Sequence, residues 1–366
     1  MSRFKSKSLQ ESPISAVDLF CGAGGLTHGL LRAGIRVEAG IDIDAHAAHA
    51  YNANNSGVQF IEWDVTRKKS TSISKLFASG KIKLLAGCAP CQPFSKLTNG
   101  VKRHRSWGLL DNFGRLVEGV MPDLVTMENV PELANRGCDV FEKFLKTLRL
   151  NAYSVDWKVV NCADYGAPQS RKRLVLLASR LGKIEVPPGH LIGERLPMTV
   201  REAIGGLPPV MAGTIHPKDS LHVASQLSPL NMRRIRHTPH DGGTKASWPA
   251  KLVLECHLKK SGARYQSIYG RMWWDRPAPT MTTLCNGIGN GRFGHPEQDR
   301  AITLREAALL QTFPANYEFW PPGKKPNYGA IARMIGNAVP PALGLALGRA
   351  LAKHVLQIQH QNKRSA

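Results

Sequence analysis

Two cysteines in the segment 87–95, which reads G-C-A-P-C-Q-P-F-S, have residue types and a spacing that could do chemistry. The apolar run at 82–86 predicts a buried strand, and the Pro- and Gly-rich residues after it predict a sharp turn at the strand's end. Ligands and reacting groups gather at such strand ends in open α/β sheets. Cys91 lies between Pro90 and Gln92 on a stiff backbone facing a crevice, so its sulfur is a candidate nucleophile.

Cys88 and Cys91 together form a C-x-x-C pattern, which also occurs in zinc sites and redox pairs. The sequence has no second C-x-x-C and no nearby His pair to complete a metal cage, so no metal site is predicted. A redox pair and an inert buried cysteine stay open as alternatives to the catalytic thiol on local sequence alone.

A glycine turn near the N-terminus is the second candidate site. A predicted strand ends at Phe20 and is followed by Gly22, Gly24 and Gly25, which let the backbone approach a ligand closely. The helix that begins there offers unpaired N–H groups. Thr27 occupies the last position of the dinucleotide fingerprint G-x-G-x-x-G, so the turn predicts nucleotide binding of a looser kind.

Acidic residues follow three later strands. Asp42 ends the second strand, about 20 residues past the turn, and is placed to bind ribose hydroxyls, with capping of the next helix as the alternative. Asp64 takes the same position on the third strand and could face an adenine edge. Glu128 ends the fifth strand at the same edge as Cys91, where a carboxylic acid can act as a general acid, or it could cap the helix after Pro131.

Two further segments bring basic residues toward this edge. Arg171 and Arg173 alternate on an extended segment, so both could point into one cleft and bind carbonyl or phosphate oxygens. The predicted loop 95–112 is rich in Lys, Arg, Ser and Gly and contains Trp107. Such a loop is typical of a flap that closes over nucleic acid, and a disordered excursion is the alternative.

Seven predicted strands alternate with helices and position these residues. This order predicts an α/β fold, a doubly wound and mostly parallel sheet. The strands are at 14–20, 37–41, 60–63, 82–86, 123–127, 153–160 and 174–178. From residue 181 Pro and Gly become dense and helical periodicity fades, which predicts a second, smaller, loop-rich domain. The predicted limits are 14–180 plus 326–358 for the catalytic domain, 181–300 for the second domain, 301–325 for a connector, and 1–13 and 359–366 for flexible ends.

Charge favours a polyanionic partner. Lys and Arg number 49 against 27 Asp and Glu, which gives a net charge of +22 over 366 residues. Basic clusters that meet in the fold would form a phosphate-lined cleft, and a solvated basic face is the alternative. A membrane is disfavoured because no apolar run approaches the roughly 20 residues of a spanning helix. Seven scattered cysteines and a polar N-terminal segment indicate a cytoplasmic protein.

Taken together in their order along the chain, the motifs resemble those of the DNA (cytosine-5)-methyltransferase family over residues 15–352. Single motifs are weakly specific, but six in the family's order and spacing are highly specific. The matching segments are D-L-F-C-G-A-G-G at 18–25, P-C-Q at 90–92, E-N-V at 128–130, Q-S-R-K-R at 169–173, R-P-A-P-T-M-T-T at 276–283 and G-N-A-V at 336–339.

The resemblance implies a Rossmann-like S-adenosylmethionine methyltransferase fold with a target-recognition domain, and it implies the site residues. Cys91, Glu128, Arg171 and Arg173 would be catalytic. Cys91 would attack C6 of a flipped cytosine, Glu128 would bind N3, Arg173 would bind O2, and Arg171 would support the thiol region. The S-adenosylmethionine contacts would come from Phe20, Gly22, Gly24, Gly25, Asp42, Ile43, Asp64, Pro90 and Asn337.

One departure from the family concerns the purine contact. Family members often place an aromatic residue after the acid of the second strand, where this chain has Ile43. An isoleucine can still pack on a purine face, so an altered contact is expected and not a lost site.

The resemblance also implies partners. Duplex DNA is the expected substrate of a monomeric, nucleoid-associated enzyme, with a restriction endonuclease acting on the same site as a possible partner. A transfer RNA cytosine-5 methyltransferase and a non-catalytic DNA-binding module on the same fold are the alternatives. A nicotinamide dehydrogenase is disfavoured by the loose glycine turn and by the charge.

Overall fold

The structure, a computed structural model, describes residues 12–90, 107–135, 138–189, 197–259 and 267–365. The chain divides into two compact units. The first comprises 1–165, 172–192 and 339–366, and the second comprises 166–171 and 193–338. These limits differ from the predicted ones. The second unit takes in residues 166–171 and resumes only at 193, and it includes both the predicted connector 301–325 and residues 326–338.

A seven-stranded sheet forms the centre of the first unit, in the order β3-β2-β1-β4-β5-β7-β6. The strands are β1 (Ile14–Leu19), β2 (Arg36–Asp42), β3 (Gln59–Glu62), β4 (Ile82–Gly87), β5 (Leu124–Asn129), β6 (Ser154–Asn161) and β7 (Lys172–Ser179). Neighbours from β3 to β5 pair in parallel, whereas β7 runs antiparallel to both β5 and β6. The predicted α/β class, a doubly wound and mostly parallel sheet, is confirmed.

Helices cover the sheet and explain why its central strands are buried along their whole length. Every residue of β1 and β5 is buried, as expected of strands covered on both faces. The α-helices of this unit are Gly25–Arg32, Ala47–Asn54, Ser70–Ser74, Trp107–Val120, Glu132–Asn135, Cys138–Leu150 and Pro341–Ser365, and 3₁₀ turns lie at Val65–Arg67 and Cys162–Tyr165.

The helix Trp107–Val120 corrects the predicted loop 95–112 at its C-terminal end. Residues 107–112 are helical because Leu110, Phe113 and Val117 recur at helical spacing and are buried in the core of the first unit. The remainder of that predicted loop, residues 95–106, lies outside the described residues.

The last helix, Pro341–Ser365, packs closely on Gly25–Arg32. A Cβ at Gly29 would come within 2.5 Å of the carbonyl carbon of Gly344, so the two helices approach at backbone distance. The segment Tyr328–Arg364 is long and apolar enough by composition to cross a membrane, but 67% of its most apolar stretch is buried in the fold. A core helix has that degree of burial.

The second unit has little regular structure in its described part. Its α-helices are Val200–Ile204, Pro229–Arg236, Glu255–Leu258, Leu304–Leu310 and Tyr328–Asn337, its 3₁₀ turns are Lys245–Ser247, Ala250–Leu252 and Ile288–Asn290, and its hairpin is β8 (Ile215–His216) with β9 (Asp219–Val223). Buried arginines connect the loops. Arg300 makes two bonds of 2.8 and 2.7 Å to the Glu306 carboxylate, and both side chains are 1% exposed.

Candidate active site

The glycine turn after β1 requires its glycines. Phe20 and Gly22 have φ of 57° and 50°, and Gly24 has φ of 87° as the N-cap of the helix Gly25–Arg32. A Cβ at Gly24 would come 2.5 Å from Asn55 Nδ2. Positive φ at the non-glycine Phe20 is the kind of backbone strain that collects at functional sites. The predicted tight ligand-binding turn at this strand end therefore has a structural basis.

Asp42 ends β2 and organises this turn. Its Oδ2 accepts a 2.8 Å bond from the Gly22 N–H, and its Oδ1 accepts a 2.9 Å bond from the Asp44 N–H. Burial raises the pKa of this carboxyl above its usual value. The alternative of Asp42 as a helix cap is not what the structure shows, since the next helix begins at Ala47 with His46 as N-cap. Beside it, Ile43 is 67% exposed, an unusual position for so apolar a side chain.

Asp18 is a buried acid beside the glycine turn that was not singled out from the sequence. It lies inside β1, is 1% exposed, and accepts a 2.7 Å bond from the Thr27 hydroxyl through Oδ2. Among the described residues its other oxygen, Oδ1, has no hydrogen-bond partner. Burial raises its pKa to about 7, and the nearby Asp42 carboxylate adds to the effect. The signal for it was an acid within an otherwise apolar strand, because a buried carboxyl is costly without a function.

Glu128 and Arg173 meet on adjacent strands, β5 and β7. Arg173 Nε lies 2.8 Å from Glu128 Oε1, and the two side chains are 12% and 8% exposed. The Nε–H is not directed at this oxygen, so the contact is an ion pair without a well-formed hydrogen bond, and Oε1 is not hydrogen-bonded. A carboxyl held beside a guanidinium, with an unused oxygen, suits a planar ligand that presents both a donor and an acceptor.

The segment that leads to Cys91 starts beside Glu128. Asn129 Nδ2 donates a 3.2 Å bond to the carbonyl of Ala89, which fixes the end of β4 against the end of β5. Burial raises the pKa of the Cys88 thiol well above its usual value, and the Glu128 carboxylate raises it further. A raised pKa favours the neutral thiol, which is a weaker nucleophile than the thiolate.

Cys91 itself lies outside the described residues. Pro90 is the last residue described before it and is exposed at the end of β4. The roles of Cys91 as nucleophile and of Pro90 in cofactor binding therefore stay predictions.

Arg171 binds backbone carbonyl oxygens. Its guanidinium is buried in the second unit and donates to the carbonyl oxygens of Met281 at 2.8 Å, Gly336 at 2.9 Å and Ala338 at 3.3 Å. These bonds connect the segments 276–283 and 336–338, which is a positioning role, and the predicted catalytic role of Arg171 stays a prediction. Arg173 pairs with Glu128 in the first unit, and the expectation that both arginines point into one cleft stays a prediction.

Asp64 and Asn337 are two other residues predicted to bind the cofactor. Asp64 Oδ1 accepts bonds from the Thr66 N–H at 3.0 Å and hydroxyl at 2.6 Å, and the hydroxyl bond lowers the Asp64 pKa. Asn337 is the exposed last residue of the helix Tyr328–Asn337 in the second unit. Their contacts with a cofactor stay predictions.

Comparisons with known proteins agree with this geometry. The family model described as C-5 cytosine-specific DNA methylase matches residues 14–353. The chain is 48% identical over 353 residues to the Type II methylase M.HgiDII of Herpetosiphon aurantiacus, covering 96% of this chain and 98% of that protein. It is 32% identical to the Type II methyltransferase M1.HphI of Haemophilus parahaemolyticus, covering 93% and 87%.

A solved structure shows the same fold. A prophage-encoded protein of E. coli, described as a DNA modification methyltransferase, superposes with a TM-score of 0.72 at 23% identity and covers 93% of this chain and 99% of its own. The match of the family model over nearly the whole chain and the 48% identity to a Type II methylase decide the assignment. The chain therefore belongs to the C-5 cytosine-specific DNA methylase family and is a DNA (cytosine-5)-methyltransferase.

Proposed function

We propose that this enzyme transfers the methyl group of S-adenosylmethionine to C5 of a cytosine flipped out of duplex DNA, at a specific sequence. The observation that best supports this is the Glu128–Arg173 pair, a carboxyl and a guanidinium 2.8 Å apart. The pair lies on β5 and β7 in the same unit as the glycine turn that follows β1. A cytosine ring presents N3 to an acid and O2 to a cation, which is the arrangement that this pair matches.

The residues around the glycine turn fit S-adenosylmethionine. The buried Asp18 has an oxygen without a hydrogen bond in the described structure, and the half-buried Asp42 holds the turn through Gly22. Two carboxyls withdrawn from solvent beside a strand end favour a cationic ligand, because a nearby positive charge stabilises their ionised forms. The exposed Ile43 offers an apolar surface for a purine. When bound there, S-adenosylmethionine supplies an electron-poor methyl group on a sulfonium.

The proposed chemistry begins with activation of the ring, because C5 of cytosine is a weak nucleophile. The Cys91 thiolate adds to C6, while Glu128 holds a proton at N3 and Arg173 neutralises charge that develops at O2. C5 then takes the methyl group as its bond to the sulfonium sulfur breaks and a neutral thioether is left, a base removes the C5 proton, and the Cys91 sulfur leaves by elimination. Because C6 is inaccessible in a stacked duplex, the base has to leave the helix first.

A restriction–modification role is part of the proposal. It is supported by the Type II designation of five relatives, including the 48% identical M.HgiDII. We also propose a monomer located in the cytoplasm with the nucleoid. The seven scattered cysteines favour the cytoplasm, and the net charge of +22 suits association with DNA. A cognate endonuclease acting on the same site is the expected partner.

Expression in a host without cytosine methylation, followed by bisulfite sequencing of its DNA, tests the proposal. We expect one short motif in which a single cytosine is methylated, and Cys91→Ser should remove that methylation while DNA binding persists. Methylation of transfer RNA and not of DNA would support the alternative substrate. Unchanged turnover by Cys91→Ser would contradict the covalent mechanism.

A further inference from the structure

The second unit contains an exposed loop whose backbone is held by hydrogen bonds from a buried arginine. The loop 237–244, H-T-P-H-D-G-G-T, follows directly on the helix Pro229–Arg236. Arg271, which is fully buried, donates through Nε to the Thr238 carbonyl at 2.9 Å, and its backbone N–H donates to the Gly243 carbonyl at 3.0 Å. The same guanidinium donates to the Ile235 carbonyl at 2.9 Å, so it also holds the last turn of the helix.

A second set of contacts fixes the tip of the loop. Arg292 Nη1 donates to the Gly242 carbonyl at 2.8 Å, and Asp241 Oδ1 accepts a 2.7 Å bond from the Trp274 N–H. Gly242 has φ of 95°, and a Cβ there would collide with the indole of Trp273. The backbone of the loop is therefore held in one conformation from several sides, and only glycine fits at its tip.

The side chains that this framework presents to solvent are cationic or hydrogen-bonding. Arg233, Arg236, His237 and His240 are exposed, and Arg233 and His237 lie four positions apart on one face of the helix and its extension. His237 donates through Nδ1 to the Arg233 carbonyl at 2.8 Å and so extends the helix end. A rigid backbone that presents Arg and His side chains is what recognition of a fixed polyanion requires.

The acids near this surface are already engaged. Asp241 accepts from the Trp274 backbone, and Asp299 pairs with the buried Arg271 and lies 3.7 Å from Arg236. The outward charge of this surface is therefore positive. A membrane or an acidic peptide would need only charge, whereas a pre-organised loop next to the charge favours a partner with a regular array of phosphates and readable edges, which is duplex DNA.

We propose that the surface formed by Arg233, Arg236, His237 and His240, here named the arginine–histidine surface, contacts the DNA substrate. Arg233 binds a backbone phosphate, and His240, at the tip of the fixed loop, contacts a base edge and contributes to sequence choice. This inference rests on the proposed function, since it names residues that bind the same DNA.

Binding of the full-length enzyme to two duplexes of about 30 base pairs tests the inference. One duplex contains the motif that the wild-type enzyme methylates, and the other has that motif scrambled. We expect Arg233→Ala to weaken binding to both duplexes by about 10-fold and to lower the slope of log affinity against log salt by about 1, as for one lost phosphate contact. We expect Arg233→Lys to retain most of the affinity, because it keeps the charge.

For His240→Ala we expect a loss of about 10-fold on the motif duplex and little change on the scrambled duplex. Lys218→Ala is the matched control, an exposed cation of the same unit outside the arginine–histidine surface, and it should leave both affinities unchanged. Wild-type affinities for both Arg233→Ala and His240→Ala would overturn the proposal, and so would an equal loss in Lys218→Ala. Equal loss on both duplexes by His240→Ala would overturn the reading role.

The controls separate this inference from the proposed function. If the wild-type enzyme methylates and binds the motif duplex, and Arg233→Ala and His240→Ala bind both duplexes with wild-type affinity, only the inference fails. If the wild-type enzyme neither methylates nor binds DNA, the proposed function fails first. All the substituted side chains are exposed, so an unchanged melting temperature is expected for each variant.

Discussion

Neutralising Asp18 should stabilise the protein at alkaline pH, because this buried carboxyl is held at a pKa of about 7 instead of 3.8. Between pH 3.8 and about pH 7 the folded protein keeps a proton on Asp18 that the unfolded chain releases. The free energy of unfolding therefore falls as pH rises through this range. The difference between 3.8 and about 7 corresponds to about 4 kcal/mol. The stability that the protonated Asp18 contributes is fully present below pH 3.8 and is lost once pH passes about 7.

Asp18→Asn keeps the shape and the bond from Thr27 but cannot ionise. In urea unfolding we expect the variant to be more stable than the wild type at pH 8.5, by up to about 4 kcal/mol, and to lie within about 1 kcal/mol of it at pH 4.5. Comparing the two proteins at each pH cancels the titration of all other groups. Glu142→Gln, on an exposed helix face, is the control and should show no such trend. A constant difference between Asp18→Asn and wild type across this pH range would show that Asp18 is not the titrating group.

Two further predictions concern the catalytic acid and the core of the second unit. Glu128→Gln should slow the single-turnover rate of methyl transfer by about 100-fold or more, because it removes the proton donor to N3, and an unchanged rate would exclude that role. Glu306→Gln should lower the free energy of unfolding by about 3–5 kcal/mol in urea titrations, since it leaves the fully buried Arg300 without its counter-ion. Asp275→Asn breaks the exposed pair with Arg201 and should have no measurable effect, so equal losses in both variants would show that burial does not set the cost of breaking these pairs.

Most of the first unit could be predicted from the sequence because its signals are local. Most strands of the sheet are short, largely apolar runs bounded by turn residues, and β1 to β7 lie within a few residues of their predicted positions. The glycine turn was found for the same reason, since a positive φ at Gly24 leaves few other residues possible. The start of the helix at Trp107 was missed, because basic and polar residues before it resemble a loop and only packing of Phe113 shows where the helix forms.

The roles of single charged side chains could not be obtained in this way. Arg171 and Arg173 are two residues apart and identical in type, yet one holds three backbone carbonyls and the other faces Glu128. For Arg171 the partner depends on segments more than 100 positions away in the chain. Asp18 was overlooked because its burial, and so its raised pKa, is a property of the assembled sheet.

Strand periodicity, turn chemistry and motif order are local features of the chain, so the amino-acid sequence was enough to specify the class of fold and the family, and it predicts which groups react. Three other properties emerged only on folding: which of those groups are paired, which oxygen of Asp18 is left without a hydrogen bond, and which loop of the second unit is rigid. They arise from contacts between distant segments, and a linear pattern of residue types does not specify distance, burial or the direction of a side chain.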